Sequence, residues 1–205
     1  MVSNDETPAA VSAAPASFNA REYQIALFKA ALQCNTIVVL DTGAGKTFIA
    51  TMLIQHFAAT GAAVPMPPPT AGLPLPERRL SVFLVNLVPL VVQQSRAIQT
   101  QSGLRVNAFC GDMGADNWNA SHWDHYCQRS DVFVMTAQVF LDALRHAFLR
   151  LDQFHLLVFD ECHHARKAHP YNRIMVEFYK REPPATRPRI FGLTASPLCL
   201  KASIE

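Results

Sequence analysis

Two glycines, a lysine and a threonine lie close together in Asp41-Thr42-Gly43-Ala44-Gly45-Lys46-Thr47, after a β-branched run and before an apolar stretch at helical spacing. A strand leading in and a helix leading out are the context a phosphate-binding loop requires. Gly43 and Gly45 would let the N–H groups of the Thr42–Thr47 backbone, Ala44 included, come close to phosphate oxygens. The start of a helix adds favourable partial positive charge. Lys46 is then placed to reach the β- and γ-phosphates of ATP, and the Thr47 hydroxyl to hold Mg²⁺. The general pattern has glycine five places before Gly45, where this chain has Leu40.

A second chemical cluster closes the apolar run Leu156-Leu157-Val158-Phe159 with Asp160 and Glu161. A buried strand carries such acids to the carboxyl edge of a sheet, where open α/β folds bind ligands. Asp160 is expected to hold Mg²⁺, and Glu161 to orient and deprotonate an attacking water. Alone, Asp-Glu after a strand says little; downstream of a phosphate loop it says much more. Cys162, His163, His164 and His169 are possible metal donors, but no cysteine pair accompanies them, so polar-network and helix-start roles are preferred over zinc. Thr194-Ala195-Ser196 follows the run Ile190–Leu193. That strand should end beside Asp160 and Glu161, where the hydroxyls suit relaying a change at the nucleotide.

The elements that must position these groups alternate. A short helix is expected within 18–33, a fully buried strand over Thr36–Leu40 and a helix near Lys46–Ala59. Next come strand Leu80–Val85, helix Leu90–Gln101, strand Arg105–Phe109 and an irregular stretch holding Trp118 and Trp123. Strand Val132–Met135, helix Gln138–Phe148, strand Leu156–Phe159, helix Tyr171–Lys180 and strand Ile190–Leu193 complete the order. Strands alternating with helices imply an α/β domain with a mainly parallel sheet and helices on both faces. Residues 1–17 read as a disordered tail, 18–198 as the folded domain, 61–77 as a proline-rich loop insertion and 199–205 as a short tail.

Composition narrows the setting. A net charge of +2 over 205 residues gives no bulk sign of a nucleic-acid binder, so such binding must come from local patches. Five cysteines, Cys34, Cys110, Cys127, Cys162 and Cys199, form no close pair and suit a reducing compartment. The acidic N-terminus resembles neither a secretory signal nor a transit peptide, and no apolar run reaches membrane-spanning length. The expectation is an intracellular protein, cytoplasmic or nuclear, with no membrane partner.

With Asp160-Glu161-Cys162-His163 added to the phosphate loop and Thr194-Ala195-Ser196, the chain resembles superfamily 2 RNA helicases of the duplex-RNA-activated group. Among these it is most similar to Dicer-like proteins, particularly fungal ones. The stretches that carry this are Cys34–Leu40, Cys110–Gly114, Val134–Leu141, Asp160–Met175 and Arg187–Pro197. They span about residues 20–198, and leucine at position 40 is common in that family.

The resemblance implies a RecA-like phosphate-loop lobe, the ATP-binding lobe at the N-terminal end of the helicase region. It implies that Arg21 stacks on adenine and Gln24 reads its edge. Asn86, Gln94, Gly111, Thr136 and Gln138 would face the backbone of double-stranded RNA. His163, with Thr194 and Ser196, would couple the nucleotide site to the RNA side. The implied machine hydrolyses ATP while handling duplex RNA for silencing, with a second helicase lobe and ribonuclease III domains as partners. None of those follows in this sequence, which ends at Glu205. The alternatives are an ATP- or RNA-binding module without turnover, or a lobe of an antiviral-sensor-type or DNA-acting translocase.

Overall fold

The computed structural model describes residues 20–60, 78–111 and 119–196. The expected tails 1–17 and 199–205, the insertion 61–77 and Trp118 lie outside the described residues. Six strands form one sheet: β1 (Thr36–Val39), β2 (Leu80–Val85), β3 (Val106–Phe109), β4 (Val132–Thr136), β5 (Phe154–Phe159) and β6 (Arg189–Thr194). Their order is β1-β6-β5-β2-β4-β3, and every pairing is parallel. The helices are α1 (Glu22–Gln33), α2 (Lys46–Thr60), α3 (Val88–Ser102), α4 (Ala120–Arg129), α5 (Ala137–Arg145) and α6 (Pro170–Arg173), which continues as a π-helix over Ile174–Tyr179.

Period-two alternation along the central strands splits the core into two layers. Phe83 and Val85 of β2, with Leu156 and Val158 of β5, face the layer completed by Ala31, Ile49, Leu53, Val91 and Ile98 of α1, α2 and α3. Leu80, Val82 and Leu84, with Phe154, Leu157 and Phe159, face the layer completed by Trp123, Phe140, Leu144, Tyr171 and Ile174. Strands buried on both faces read as continuous apolar runs, which is why β2 and β5 were legible in the sequence. The chain is thus the α/β, RecA-like arrangement expected, with helices on both faces.

Three expectations need correction. β1 is an edge strand, not a fully buried one: Val38 is buried, but Ile37 is 52% and Val39 41% exposed. An apolar run shows that a strand has a face to bury; its place in the sheet order decides whether both faces are covered. The stretch around Trp123 is helical rather than irregular. Asn119 caps α4 by accepting the His122 N–H (3.2 Å), and Trp123, Tyr126 and Cys127 recur at i, i+3 and i+4. Trp123 packs at 5.3 Å from the Phe109 ring. The helix expected over Tyr171–Lys180 is a single α-turn followed by π winding. Elsewhere ends differ by one to three residues: α3 starts at Val88, α5 ends at Arg145 and β5 starts at Phe154.

One buried polar pair lies between the sheet and α2. His155 Nε2 shares a hydrogen bond with Ser81 Oγ (2.8 Å), and Phe57 stacks on the imidazole at 5.3 Å. Burial, helped by Arg79 and Arg78, lowers the His155 pKa to about 3. The unfolded chain therefore takes up a proton below about pH 6.5 that the folded chain refuses until about pH 3. Stability from this group is fully present above pH 6.5 and falls as pH drops through that window. His155→Gln keeps a partner for Ser81 without titrating. Its thermal midpoint should fall less than that of the native chain between pH 7 and pH 5; equal falls would assign the acid sensitivity to other groups.

Candidate functional site

Because all six strands run the same way, every loop after a strand opens on one edge. The loop from β1 to α2 turns through Gly43 and Gly45, both at positive φ (83° and 85°). A Cβ at Gly45 would also meet the Gln24 amide, which would have to move aside. Lys46 opens α2, and its ammonium donates to the carbonyls of Leu40 (2.9 Å) and Asp41 (3.3 Å), inside the curl of its own loop. Thr47 follows in the first turn and donates its hydroxyl proton to Gln94 Oε1 (3.1 Å).

The N-terminus of α1 rests on that loop. Tyr23 donates its phenol to the Ala44 carbonyl (2.7 Å), and Gln24 Nε2 donates to the same oxygen at 3.3 Å. Gln24 Oε1 accepts the Arg21 N–H (2.9 Å), while Arg21 itself is exposed. Gln24 is thus brought to this loop from a distance in sequence, with the Arg21 backbone bonded to it. Tyr23 of the same helical turn is a second contact.

At the end of β5, Asp160 is buried, and burial with the neighbouring Glu161 raises its pKa to about 6, against Lys46. Asp160 Oδ1 accepts the Glu161 N–H (3.1 Å). Glu161 takes a left-handed backbone (φ 48°, ψ 52°), a turn that non-glycine residues adopt at a cost of about 1 kcal/mol. That turn sends its carboxylate towards the end of β6. Glu161 Oε2 lies 3.2 Å from His163 Nδ1 and accepts the Ala195 N–H at 3.4 Å. His163 Nδ1 also shares a hydrogen bond with Thr194 Oγ1 (2.9 Å), which in turn accepts the Ser196 N–H (3.1 Å). Glu161, His163, Thr194 and Ser196 form one connected polar network.

Tyr171 supports this end of β5 from below. Its phenol is fully buried and lies 2.8 Å from the Asp160 carbonyl and 2.9 Å from that of Leu84. It thereby braces the ends of β5 and β2 where their ladder stops, and burial beside Asp160 holds its pKa well above the usual range. Gly192 of β6 lets the turn close from the other side, since a Cβ there would meet Cys162 Sγ at 3.0 Å. Neither support could be found by spacing. Both depend on which strands become neighbours.

The remaining candidates follow the other three strands. Asn86 follows β2, and its Oδ1 is buried without a hydrogen-bond partner among the described residues. Thr136 ends β4 and is the N-cap residue of α5. Gln138 is exposed and donates to both Asp142 oxygens (2.9 and 2.8 Å). Gly111 follows β3, and Asp112–Gly114 lie outside the described residues. Gln94 departs from this group, because its side chain faces Thr47.

The donor set suits a hard cation. Thr47 and Asp160 offer oxygen, and among the described residues no three His, Cys, Asp or Glu side chains gather to hold a metal ion. Burial, with Glu161 and Asp160 nearby, raises the Cys162 pKa to about 11. Two oxygen donors fit an ion that keeps water and substrate oxygens as its other ligands, as Mg²⁺ does. No described helix is long and apolar enough to cross a membrane.

Comparison with known proteins agrees with this geometry. The family model described as "Type III restriction enzyme, res subunit" matches residues 17–198. Endoribonuclease Dicer homolog 1 of Arabidopsis thaliana is 44% identical over 182 residues, covering 89% of this chain and 9% of that protein. Dicer-like protein 1 of Aspergillus terreus is 44% identical over 189 residues, covering 91% of this chain and 12% of that protein. Among solved structures, the Pyrococcus furiosus Hef helicase domain superposes with a TM-score of 0.66 at 28% identity. It covers 87% of this chain and 34% of that one. The chain therefore spans a small part of the Dicer-like relatives it matches. A parallel sheet with its phosphate-type loop, acidic turn and hydroxyl triplet on one edge, matched along nearly its whole length, makes this chain a member of the type III restriction enzyme res-subunit family and a helicase lobe of the Dicer-like kind.

Proposed function

We propose that this lobe binds ATP with Mg²⁺ on one half of its carboxyl edge and the backbone of double-stranded RNA on the other. Joined to a second helicase lobe and ribonuclease III domains, it would couple ATP hydrolysis to RNA handling in silencing. The observation that carries the reading is the sheet order. Lys46 and Thr47 follow β1, Thr194 ends β6, and Asp160 and Glu161 follow β5, three adjacent strands. Asn86 and Gly111 follow β2 and β3, and Thr136 ends β4, the other three. Residues scattered through the sequence thus sort into two contiguous halves along one edge.

Each group has work its position allows. The N–H groups of Thr42–Thr47 and the Lys46 ammonium neutralise phosphate charge, and Gln24 and Arg21 border the same loop. Thr47 and Asp160 would hold Mg²⁺, which shields the phosphate oxygens as charge shifts during transfer. Glu161, fixed by Ala195 and His163, would take a proton from the attacking water. His163 and Thr194 would carry its position to Ser196. On the other half, loops present backbone N–H groups and hydroxyls, which suit phosphate and 2′-hydroxyl groups and give shape rather than base recognition.

Calorimetric titration of ATP into the chain, with and without Mg²⁺, tests the nucleotide half. Binding strengthened by Mg²⁺ is expected. Lys46→Ala should weaken it by roughly two orders of magnitude, the scale of one buried charge-assisted contact. The mutant should stay folded, because among the described residues Lys46 hydrogen-bonds only to its own loop. Unchanged affinity in folded Lys46→Ala would overturn the assignment.

A further inference from the structure

Thr47 lies in the first turn of α2, which follows β1, and Gln94 lies in the second turn of α3, which follows β2. Their side chains meet across two packed helices, at 3.1 Å between Thr47 Oγ1 and Gln94 Oε1. β1 and β2 are separated in the sheet by β6 and β5. The contact therefore joins the nucleotide half of the edge to the half assigned to RNA.

A hydroxyl that ligates a cation does so through an oxygen lone pair, and its proton must point elsewhere to an acceptor. A ligand whose proton is held is also held in orientation, which is why partners behind metal ligands matter nearly as much as the ligands. The Gln94 amide oxygen is such an acceptor. Thr47 Oγ1 is its donor, and no other hydrogen bond of this hydroxyl is recorded among the described residues. Were the amide turned over, its NH₂ would donate to Thr47 Oγ1, taking one of the oxygen's two lone pairs and leaving the hydroxyl proton unheld. The two orientations make opposite demands on the side chain: accept only, or donate only.

We infer that Gln94 is a positioning residue of the Mg²⁺ site, holding the Thr47 hydroxyl by its proton so that the oxygen faces the metal. This rests on the nucleotide reading above and gives Gln94 work on the metal side rather than the RNA-facing role that the resemblance implied for it. Binding is reciprocal, so whatever draws the Gln94 amide away from Thr47 must weaken Mg²⁺-dependent nucleotide binding.

The test compares ATP affinity with and without Mg²⁺ in the 205-residue chain and its variants. Gln94→Leu should cut the Mg²⁺-dependent gain in affinity roughly 10–100-fold, the usual loss on removing a partner of a metal ligand. Its Mg²⁺-free affinity should stay as in the native chain. Gln94→Glu can accept the hydroxyl proton but has no NH₂ to donate, so it should restore the gain. In a Thr47→Val background, Gln94→Leu should cost nothing more, because there is no hydroxyl left to orient. A full Mg²⁺ gain in Gln94→Leu, an equal loss with and without Mg²⁺, or failure of Gln94→Glu overturns the inference while the nucleotide reading stands. A native chain whose ATP binding ignores Mg²⁺ overturns both.

Discussion

Assayed alone, these 205 residues should bind ATP and release phosphate roughly 10³–10⁵-fold more slowly than a two-lobed helicase of this kind. On the proposed reading, Lys46, Thr47, Asp160 and Glu161 would give partners to the phosphates, the metal and the water, all from one edge of one sheet. Charge that builds on the transferred group needs a further cation from the far side, and an arginine brought there accounts for that factor in related phosphoryl-transfer enzymes. Arg166, Lys167 and Arg173 cannot stand in. All three are exposed and belong to the segment after β5, on the same lobe as the acids themselves. An open site also leaves the reaction in contact with bulk water, which weakens each electrostatic contact. Duplex RNA should not restore the rate, because stimulation depends on drawing two lobes together. A phosphate-release assay with and without long duplex RNA, with Lys46→Ala as background, decides it. RNA-stimulated turnover of about 1 s⁻¹, abolished by that mutation, would show that self-association completes the site.

What the sequence made legible depends on whether the cause is local. The turn through Gly43 and Gly45 is a local object: two glycines and a lysine at fixed spacing, entered from β1 and left by α2, so its strand–loop–helix form could be named in advance. β2 and β5 were equally plain, because a strand covered on both faces must be apolar throughout. β1 is just as apolar yet lies at the edge, since apolarity reports a strand's own preference and not its rank in the sheet. Trp123 carried a helical signal in Tyr126 and Cys127, diluted by the polar residues between them. Tyr23, Tyr171, Gly192 and the Thr47–Gln94 pair were invisible for a different reason. Each acts on a group between 21 and 87 residues away, or across strands that only the fold makes neighbours. Gln94 shows the cost: its place among RNA-facing residues was read from a linear stretch, and its side chain turns to Thr47.

Glu161→Gln, in a chain joined to a second helicase lobe, should keep ATP binding and lower hydrolysis by roughly 10²–10⁴. The geometry separates the two effects. Among the described residues Glu161 makes no hydrogen bond to Lys46, Thr47 or the loop carbonyls, so the groups proposed to bind phosphate are untouched. A glutamine side chain has the same length, and its amide oxygen can still accept the Ala195 N–H that Glu161 Oε2 accepts at 3.4 Å. The left-handed backbone at residue 161 is no harder for glutamine than for glutamate, so the turn should persist. What is lost is basicity, since an amide cannot take the proton of an attacking water. The His163 contact changes too. The carboxylate at 3.2 Å favours a proton on Nδ1, and a neutral amide removes that pull, leaving Thr194 Oγ1 at 2.9 Å as the partner. Coupling through Thr194 to Ser196 should therefore survive, and duplex RNA should still bind in an ATP-dependent way. Single-turnover hydrolysis, measured beside equilibrium ATP binding, separates these quantities. Turnover within a few-fold of the parent would remove Glu161 from the role of base. A parallel loss of ATP affinity would instead place its charge in the binding of Mg²⁺.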